Sequence, residues 1–260
     1  MVISDGRLEL LPLNRMRLID QPDFFNKMRE GDLSMDLSVI MPVYNEIKTI
    51  EDVIARVKET GYANEIILVD DGSTDGSTEV LKKYQGQPGF TVIICPQNGG
   101  KGSAVREGIK AAKSKYAIIQ DADFEYDPKD YAKLMPVIES GQADVVYGSR
   151  FMESTDVYYF RSLAANKFLT FLTNLLYRTK LTDMETCYKL FEVEKVREIP
   201  LHSRRFEFEP ELTTKLLKRG YKIVEVPISF KGRSYDEGKK IKPMDGVIAV
   251  WTLLKYRFVD

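Results

Sequence analysis

Ile118-Ile119-Gln120-Asp121-Ala122-Asp123 is a short apolar run that ends in two carboxylates one residue apart. About fifty residues earlier, Ile66-Ile67-Leu68-Val69 runs the same way into Asp70-Asp71-Gly72-Ser73. Both read as buried β-strands that empty acidic side chains at one edge of a sheet. In open α/β sheets ligands bind at the carboxyl ends of the strands. Carboxylates there suit a hard divalent cation and the phosphates it holds, which implies nucleotide chemistry.

Outward from these strands the pattern alternates. Leu37–Met41 reads as a strand stopped by Pro42, followed by a helix from its cap Thr49 to Glu59 with Ile50, Val53, Ile54 and Val57 on one face. A polar turn, Ser73 to Ser77, precedes a helix through Tyr84. Phe90–Cys95 is a strand, and Asn98-Gly99-Gly100-Lys101-Gly102 leads into a helix through Ala112. Tyr116–Gln120 and Ala143–Tyr147 are further strands, the latter ending in Gly148-Ser149-Arg150. This alternation predicts an α/β domain, a mostly parallel sheet with helices on both faces. After Phe151 the text changes. Tyr158 to Leu181 is rich in Leu, Phe and Tyr, strand text returns at Lys222–Ile228, a basic loop runs from Lys231 to Lys242, and a last helix spans about Asp245 to Phe258. The division expected is an N-terminal extension over 1–35, with a short helix at Phe24–Met28, then an α/β domain over 36–243 and an amphipathic helix over 244–260.

Composition narrows the chemistry. A net charge of −1 over 260 residues provides no basic field for nucleic acid. Two distant cysteines, Cys95 and Cys187, argue against a disulfide framework and for a reducing compartment. A single histidine, His202, rules out a multi-His metal site and speaks against a Ser-His-Asp triad. No run approaches the roughly 18 apolar residues of a membrane span, and Arg7, Arg15 and Arg17 interrupt any secretory pattern. A cytoplasmic chain working through carboxylates, cations and a metal is the expectation.

Pro42-Val43-Tyr44-Asn45-Glu46, Val69-Asp70-Asp71-Gly72-Ser73-Thr74-Asp75, Asn98-Gly99-Gly100-Lys101-Gly102, Asp121-Ala122-Asp123 and Gly148-Ser149-Arg150 occur in this order. Together they resemble the GT-A glycosyltransferases of family 2, a Rossmann-like nucleotide-diphospho-sugar transferase fold. Glu225-Val226-Pro227-Ile228-Ser229-Phe230 and Arg233 resemble its polyprenyl-phosphate branch, typified by dolichol-phosphate mannose synthase. The likeness covers roughly residues 37–243.

The resemblance implies roles. Asp123 takes Mg²⁺ or Mn²⁺, Asp121 meets the nucleotide, and Glu125 stands at a further metal position where the mannose synthases commonly have Gln. Asp71 recognises base or ribose, with Pro42, Tyr44 and Glu46 lining the same pocket; read alone, Asp71-Gly72-Ser73 is a turn before a helix, and Lys101 either helps bind the nucleotide or simply follows a tight glycine turn. Arg150, Arg161 and Arg233 hold an acceptor phosphate, a task suited to the planar guanidinium fork. A phosphomonoester has a second pKa near 6, so this acceptor needs no strong base. Lys239, Lys240 and Lys242 form a loop that closes over the donor or is simply solvated. The family's Asp-x-x-Ser-Gly-Phe region reads Asp183-Met184-Glu185-Thr186-Cys187-Tyr188 here, a departure after Asp183, and Glu209 aligns with an acidic position of the family that is open to a structural reading.

The implied reaction is inverting transfer of a sugar from GDP-mannose, UDP-glucose or UDP-N-acetylglucosamine to a polyprenyl phosphate. A lipid acceptor requires contact with a membrane surface, at its cytoplasmic face. Phe160, Leu163, Ala164, Phe168, Phe171, Leu172 and Leu175 recur at helical spacing, as do Ile248, Trp251 and Leu254 with their neighbours; each set fits an interfacial helix or a helix packed on the core. Three rivals stand beside this reading. One is a saccharide or small-alcohol acceptor with Asp183 as base, another a nucleotide-binding protein without catalysis, and the last a nucleotidyltransferase.

Overall fold

The computed structural model describes residues 2–4, 7–9, 36–152, 160–232 and 243–259, with side chains over 36–152, 163–232 and 244–259. The chain divides into two units, Met1–Met35 and Asp36–Asp260. In the first, β1 (Val2–Ser4) and β2 (Arg7–Glu9) pair antiparallel with Ile3 opposite Leu8. The helix expected at Phe24–Met28 lies outside the described residues.

The second unit runs β3 (Leu37–Val43), α1 (Ile50–Glu59), β4 (Glu65–Asp70), α2 (Ser77–Lys82), β5 (Phe90–Ile94), α3 (Lys101–Ala111), β6 (Tyr116–Ile119). A 3-10 turn (Pro128–Asp130) then feeds α4 (Tyr131–Glu139), followed by β7 (Val145–Ser149), α5 (Phe160–Tyr177), β8 (Lys189–Glu192), α6 (Val193–Arg197), α7 (Phe208–Lys218), β9 (Ile223–Pro227) and α8 (Pro243–Phe258). The sheet order is β5-β4-β3-β6-β8-β7-β9, parallel except for β8, which is antiparallel to β6 and β7. The chain winds from β3 through β4 to β5 and then crosses to β6 on the other flank of β3. The switch point therefore lies between β3 and β6, where such sheets open a crevice for ligand. β4 and β6 are buried along their whole length, which is why their text is continuously apolar rather than alternating.

One expectation fails locally. β3 is not stopped by Pro42 but continues to Val43, with Pro42 in register with Val69 of β4. Ile40 O accepts from Gln120 N on the β6 side, while Val43 O accepts from Asp71 N on the β4 side. Position 42 therefore directs its missing N–H towards β6, whose pairing with β3 has already ended at Ile40 opposite Ile119. No ladder bond is lost, so the proline is tolerated.

α5 and α8 pack against each other. Leu169, Leu181, Met184, Ala249 and Leu253 form their buried seam, with Leu172, Leu176, Tyr177 and Val250 around it. The Tyr177 hydroxyl donates to Leu253 O at 2.8 Å. Both helices also carry a second apolar face that the domain does not cover: Phe168, Phe171 and Leu175 on α5, and Val247, Trp251 and Phe258 on α8, are exposed. The core-packed reading thus holds for one face of each helix, and the other face is apolar and exposed. No helix among the described residues is long and apolar enough to cross a membrane. Cys95 and Cys187 are both free.

Candidate active site

The acidic turn after β6 is held from three sides. Gln120 is fully buried below it, its Oε1 accepting both the Tyr131 and Tyr188 hydroxyls at 2.6 Å and its Nε2 donating to Asp121 O. Thr49, which does not cap α1 with its side chain, instead donates its hydroxyl to Ala122 O at 2.8 Å. Asp123 bends the chain by accepting the N–H of Glu125 at 3.0 Å. Lys231 N donates to Glu125 O, and Tyr126 bridges to Phe230, so the extension of β9 runs along the turn. Asp121 and Asp123 are thereby presented on a fixed bend rather than on opposite faces of a strand.

The wall next to the switch point is stitched between two loops. Asn45, at φ +52, receives Thr74 N on its side chain at 2.7 Å, and its own N–H donates to Ser73 Oγ. Glu46 N donates to Ser77 Oγ, and Ile47 N donates to Asp75 Oδ2. This holds Tyr44 and Glu46, both half-buried, at the rim beside Pro42.

The paired aspartates after β4 have different tasks. Asp70 is internal, accepting from Ser73 N and the Thr78 hydroxyl. Asp71 reaches across to the glycine loop, its two oxygens accepting Gly99 N and Gly100 N at 2.8 Å each. Burial pushes the Asp71 carboxyl up, these two N–H groups work against that, and Asp70 adds to it. Gly100 sits at φ +93, and a Cβ there would lie 2.4 Å from Arg204 O, so the loop closes only on glycine.

Lys101, the first residue of α3, lies 2.8 Å from Asp121 Oδ1 and 3.5 Å from Glu209 Oε1. Burial disfavours its charge, but Asp121 and Glu209 outweigh that and hold the ammonium well above its ordinary range. Glu209 in turn meets the fully buried Lys189, which also donates to Met184 O and Thr186 O. A buried chain of alternating charge, Asp121–Lys101–Glu209–Lys189, links the acidic turn to α7 and to the loop before β8. Lys189 was not legible as a site feature; a lysine inside an apolar strand text was the available signal.

Arg150, just past β7, is clamped by Asp183. Its Nε and Nη2 donate to Oδ2 and Oδ1 at 2.7 and 2.8 Å, and its backbone N–H adds a third bond. The guanidinium also lies 5.1 Å from the Phe230 ring centroid, which places it beside the acidic turn. This corrects the assignment of Asp183 as a base. The carboxylate has no exposed surface and accepts two bonds from the Arg150 guanidinium and one from its backbone N–H, so it orients Arg150 and cannot reach a substrate hydroxyl. The Arg161 side chain, Arg233, Lys239, Lys240 and Lys242 lie outside the described residues.

The loop 182–187 is anchored at almost every residue. Thr182 N and Asp183 N donate to Glu225, Met184 N to Thr170 Oγ1, and Cys187 N to the Tyr126 hydroxyl, while the Thr186 hydroxyl donates to Gly148 O. Glu185 is the exception. Its Oε1 is enclosed without a hydrogen-bond partner, and burial raises its carboxyl from 4.5 to about 7, with Lys189 opposing, Glu209 adding, Arg150 opposing and Asp183 adding. The native state thus keeps a proton that the unfolded chain releases near 4.5. Stability must fall as pH rises from about 4.5 to about 7 and level off above, by at most roughly 3 kcal/mol. Glu185→Gln removes the titration. Thermal melts are expected to coincide with wild type at pH 4.5 and to lie a few degrees above it at pH 8; parallel melting curves at both pH values would refute the buried charge.

Among the described residues no three His, Cys, Asp or Glu side chains converge as a metal cage. Magnesium, however, is ordinarily bound through one or two carboxylates plus substrate phosphates rather than by an all-protein cage. Asp123 and Asp121, fixed on one bend beside the switch-point crevice, are a donor set of that kind, with Glu125 two residues on.

Residues 38–200 match the sequence profile of Glycosyl transferase family 2. The chain is 30% identical over 214 residues to glycosyltransferase AglJ of Haloferax volcanii, covering 81% of this chain and 68% of that protein. It is 31% identical over 234 residues to a dolichyl-phosphate beta-glucosyltransferase of Dictyostelium discoideum, covering 82% and 70%. Glucosyl-3-phosphoglycerate synthase from Mycobacterium tuberculosis, solved with Mn²⁺, uridine-diphosphate and phosphoglyceric acid, superposes at a TM-score of 0.66 with 20% identity over 86% of this chain and 79% of that one. The mixed seven-stranded sheet is accordingly the GT-A fold. The chain belongs to glycosyl transferase family 2 and is a glycosyltransferase.

Proposed function

We propose that this chain transfers a hexose from a nucleoside diphosphate sugar to a polyprenyl phosphate, with inversion at the anomeric carbon. The observation that carries the acceptor is Arg150: a buried guanidinium, aimed by Asp183 and set beside the acidic turn, is a preformed partner for phosphate oxygens. Arg161 and Arg233 are proposed to complete that site. The similarity to a dolichyl-phosphate beta-glucosyltransferase supports both the lipid acceptor and UDP-glucose as the first donor to test, ahead of GDP-mannose and UDP-N-acetylglucosamine.

Pro42, Tyr44, Glu46 and Asp71 line the nucleotide side of the crevice, with Lys101 and Asp121 towards the diphosphate. Asp123, assisted by Asp121 and Glu125, would hold Mg²⁺ or Mn²⁺. A bound divalent cation supplies charge neutralisation of the departing diphosphate. The protein's own part is placement: Arg150 aligns an acceptor oxygen that is already anionic, and the anchored 182–187 loop keeps the arginine in position. Lys240 and its neighbours are proposed to cover the donor.

Access to a lipid fits the uncovered faces of α5 and α8. Phe171, Leu175, Trp251 and Phe258 are 62, 64, 65 and 85% exposed, and exposed Lys167, Arg178, Lys180, Lys255 and Arg257 lie on or just beyond the same helices. Apolar residues with tryptophan and flanking cations suit peripheral contact with an anionic bilayer surface, here at its cytoplasmic face.

A saccharide or small-alcohol acceptor would need a general base, and the half-buried Glu185, held at about 7, favours that second reading. One assay separates the two. Nucleoside diphosphate release is followed with each donor, in Mn²⁺, Mg²⁺ or EDTA, with polyprenyl phosphate in vesicles or as a short soluble homologue, and with the matching unphosphorylated prenol. Metal-dependent release that requires the phosphate is expected. Equal release with prenol, or with a sugar acceptor alone, would move the acceptor away from a lipid phosphate.

A further inference from the structure

Glu185 is a carboxyl that its own fold does not use. Its neighbours in the 182–187 loop are each consumed: Asp183 by Arg150, Thr186 by Gly148 O, and the backbone N–H groups of 182, 183, 184 and 187 by acceptors on three other segments. Lys189 fixes the two carbonyls that flank it, Met184 O and Thr186 O. A loop held this firmly presents the remaining side chain in one place. That side chain is half-buried, with one oxygen enclosed and no hydrogen bond to either oxygen among the described residues. Buried polar atoms are nearly always satisfied, and an exception calls for a missing partner.

Its surroundings say where that partner comes from. The charges acting on Glu185 are Lys189 on β8, Glu209 on α7, Arg150 past β7 and Asp183 in its own loop. Glu209 leads through Lys101 to Asp121, on the proposed donor side, and Arg150 is the proposed acceptor cation. Under the reading above, the group that lies between a donor diphosphate and an acceptor phosphate is the hexose in transit. A hexose is neutral and rich in O–H donors, the complement of a carboxylate, and O–H donors arriving at Glu185 favour its ionised, acceptor-only form.

We propose that Glu185 is a donor-sugar contact, its carboxylate accepting hydrogen bonds from hydroxyls of the transferred hexose. It thereby selects among sugars. This rests on the nucleotide-sugar reading and goes beyond it by naming the residue that reads the sugar. The phosphate acceptor already carries its negative charge, so the carboxylate is not needed as a base.

The test is binding by the full-length chain, titrated with a nucleoside diphosphate and with the corresponding nucleotide sugar, for wild type, Glu185→Gln and Glu185→Ala. Nucleoside diphosphate affinity is expected to stay within about twofold, while nucleotide-sugar affinity falls about tenfold or more, the size expected for a hydrogen bond to a charged group. Donors lacking one sugar hydroxyl at a time give a second readout. One deoxy donor should weaken wild type about tenfold and cost the Ala variant nothing further, the non-additivity of two groups that touch. A loop damaged by substitution would not single out one hydroxyl. Parallel weakening of diphosphate and nucleotide sugar, or no change in either, would overturn the contact. So would unchanged donor affinity with a lost kcat and a shifted pH profile, which marks a base. Wild-type protein that binds diphosphate and nucleotide sugar equally, with every deoxy donor alike, would refute the contact and leave the transferase reading standing; wild type that binds neither would overturn the donor reading itself.

Discussion

Asp123→Asn is expected to cut kcat/KM by roughly 10³-fold or more while the melting temperature moves by only a few degrees. The substitution is chosen for what it keeps. The Asn side-chain oxygen still accepts Glu125 N, so the bend that Asp123 closes at 3.0 Å survives, as do the Thr49 and Gln120 supports around it. What disappears is one negative charge at the place proposed to hold the cation. Loss of about 4 kcal/mol of transition-state stabilisation is equivalent to that rate effect. Steady-state rates at saturating Mn²⁺, with a metal titration beside them, provide the check. Near-normal turnover with an unchanged metal midpoint would remove Asp123 from the cation site. Asp121→Asn differs in kind, because it also takes from Lys101 the nearer of its two carboxylates, and its rate loss should come with a measurable stability change.

The second large effect concerns Arg150 and Asp183. Asp183→Ala leaves a guanidinium with only 9% of its side chain exposed without its bidentate partner. Breaking a buried pair from one side costs about 3–5 kcal/mol, roughly a 10 °C fall in melting temperature for a domain of this size. The double variant Arg150→Met with Asp183→Leu removes both charges, and pairs replaced together by apolar groups are often neutral in stability. Most of the lost stability is expected to return while transfer to polyprenyl phosphate stays below about 1% of wild type, the cost of removing a charged phosphate clamp. Recovery of activity along with stability would mean that the pair only props up the fold. Chemical denaturation and the diphosphate-release assay, run on the three proteins, decide it.

Much of the scaffold is visible in local composition. β4 and β6 are buried on both faces, so their apolar runs and acidic ends identify them, and α1 shows its core stripe at Ile50, Val53, Ile54 and Val57. β8 and α7 were missed because the core there mixes charged and hydroxyl side chains with apolar ones. β8 carries a fully buried Lys189, and α7 is buried all round from Phe208 to Leu216, with Glu209, Glu211, Thr213, Thr214 and Lys215 among those residues, so it shows no apolar stripe. Ion pairing inside the domain makes those positions internal, as with Lys215 and Glu211, and no hydropathy pattern reports a partner. α4 was missed for another reason: Pro136 lies within it and reads as a breaker.

By itself, then, the sequence determined the alternation of strands and helices from β3 to β6, the acidic ends of β4 and β6, and a set of motifs sufficient to name the family. Those features are set by burial and turn chemistry within a few residues, which is information a linear text carries. The tertiary structure alone decided the division of labour among the ionisable groups. Asp70 serves its own loop, whereas Asp71 holds Gly99 and Gly100. Asp183 is spent on Arg150, Lys101 is shared between Asp121 and Glu209, and Glu185 is left over. A carboxylate's role follows from which cation or N–H stands within about 3 Å of it, and here those partners come from segments far apart in the chain, brought together only when the sheet is assembled.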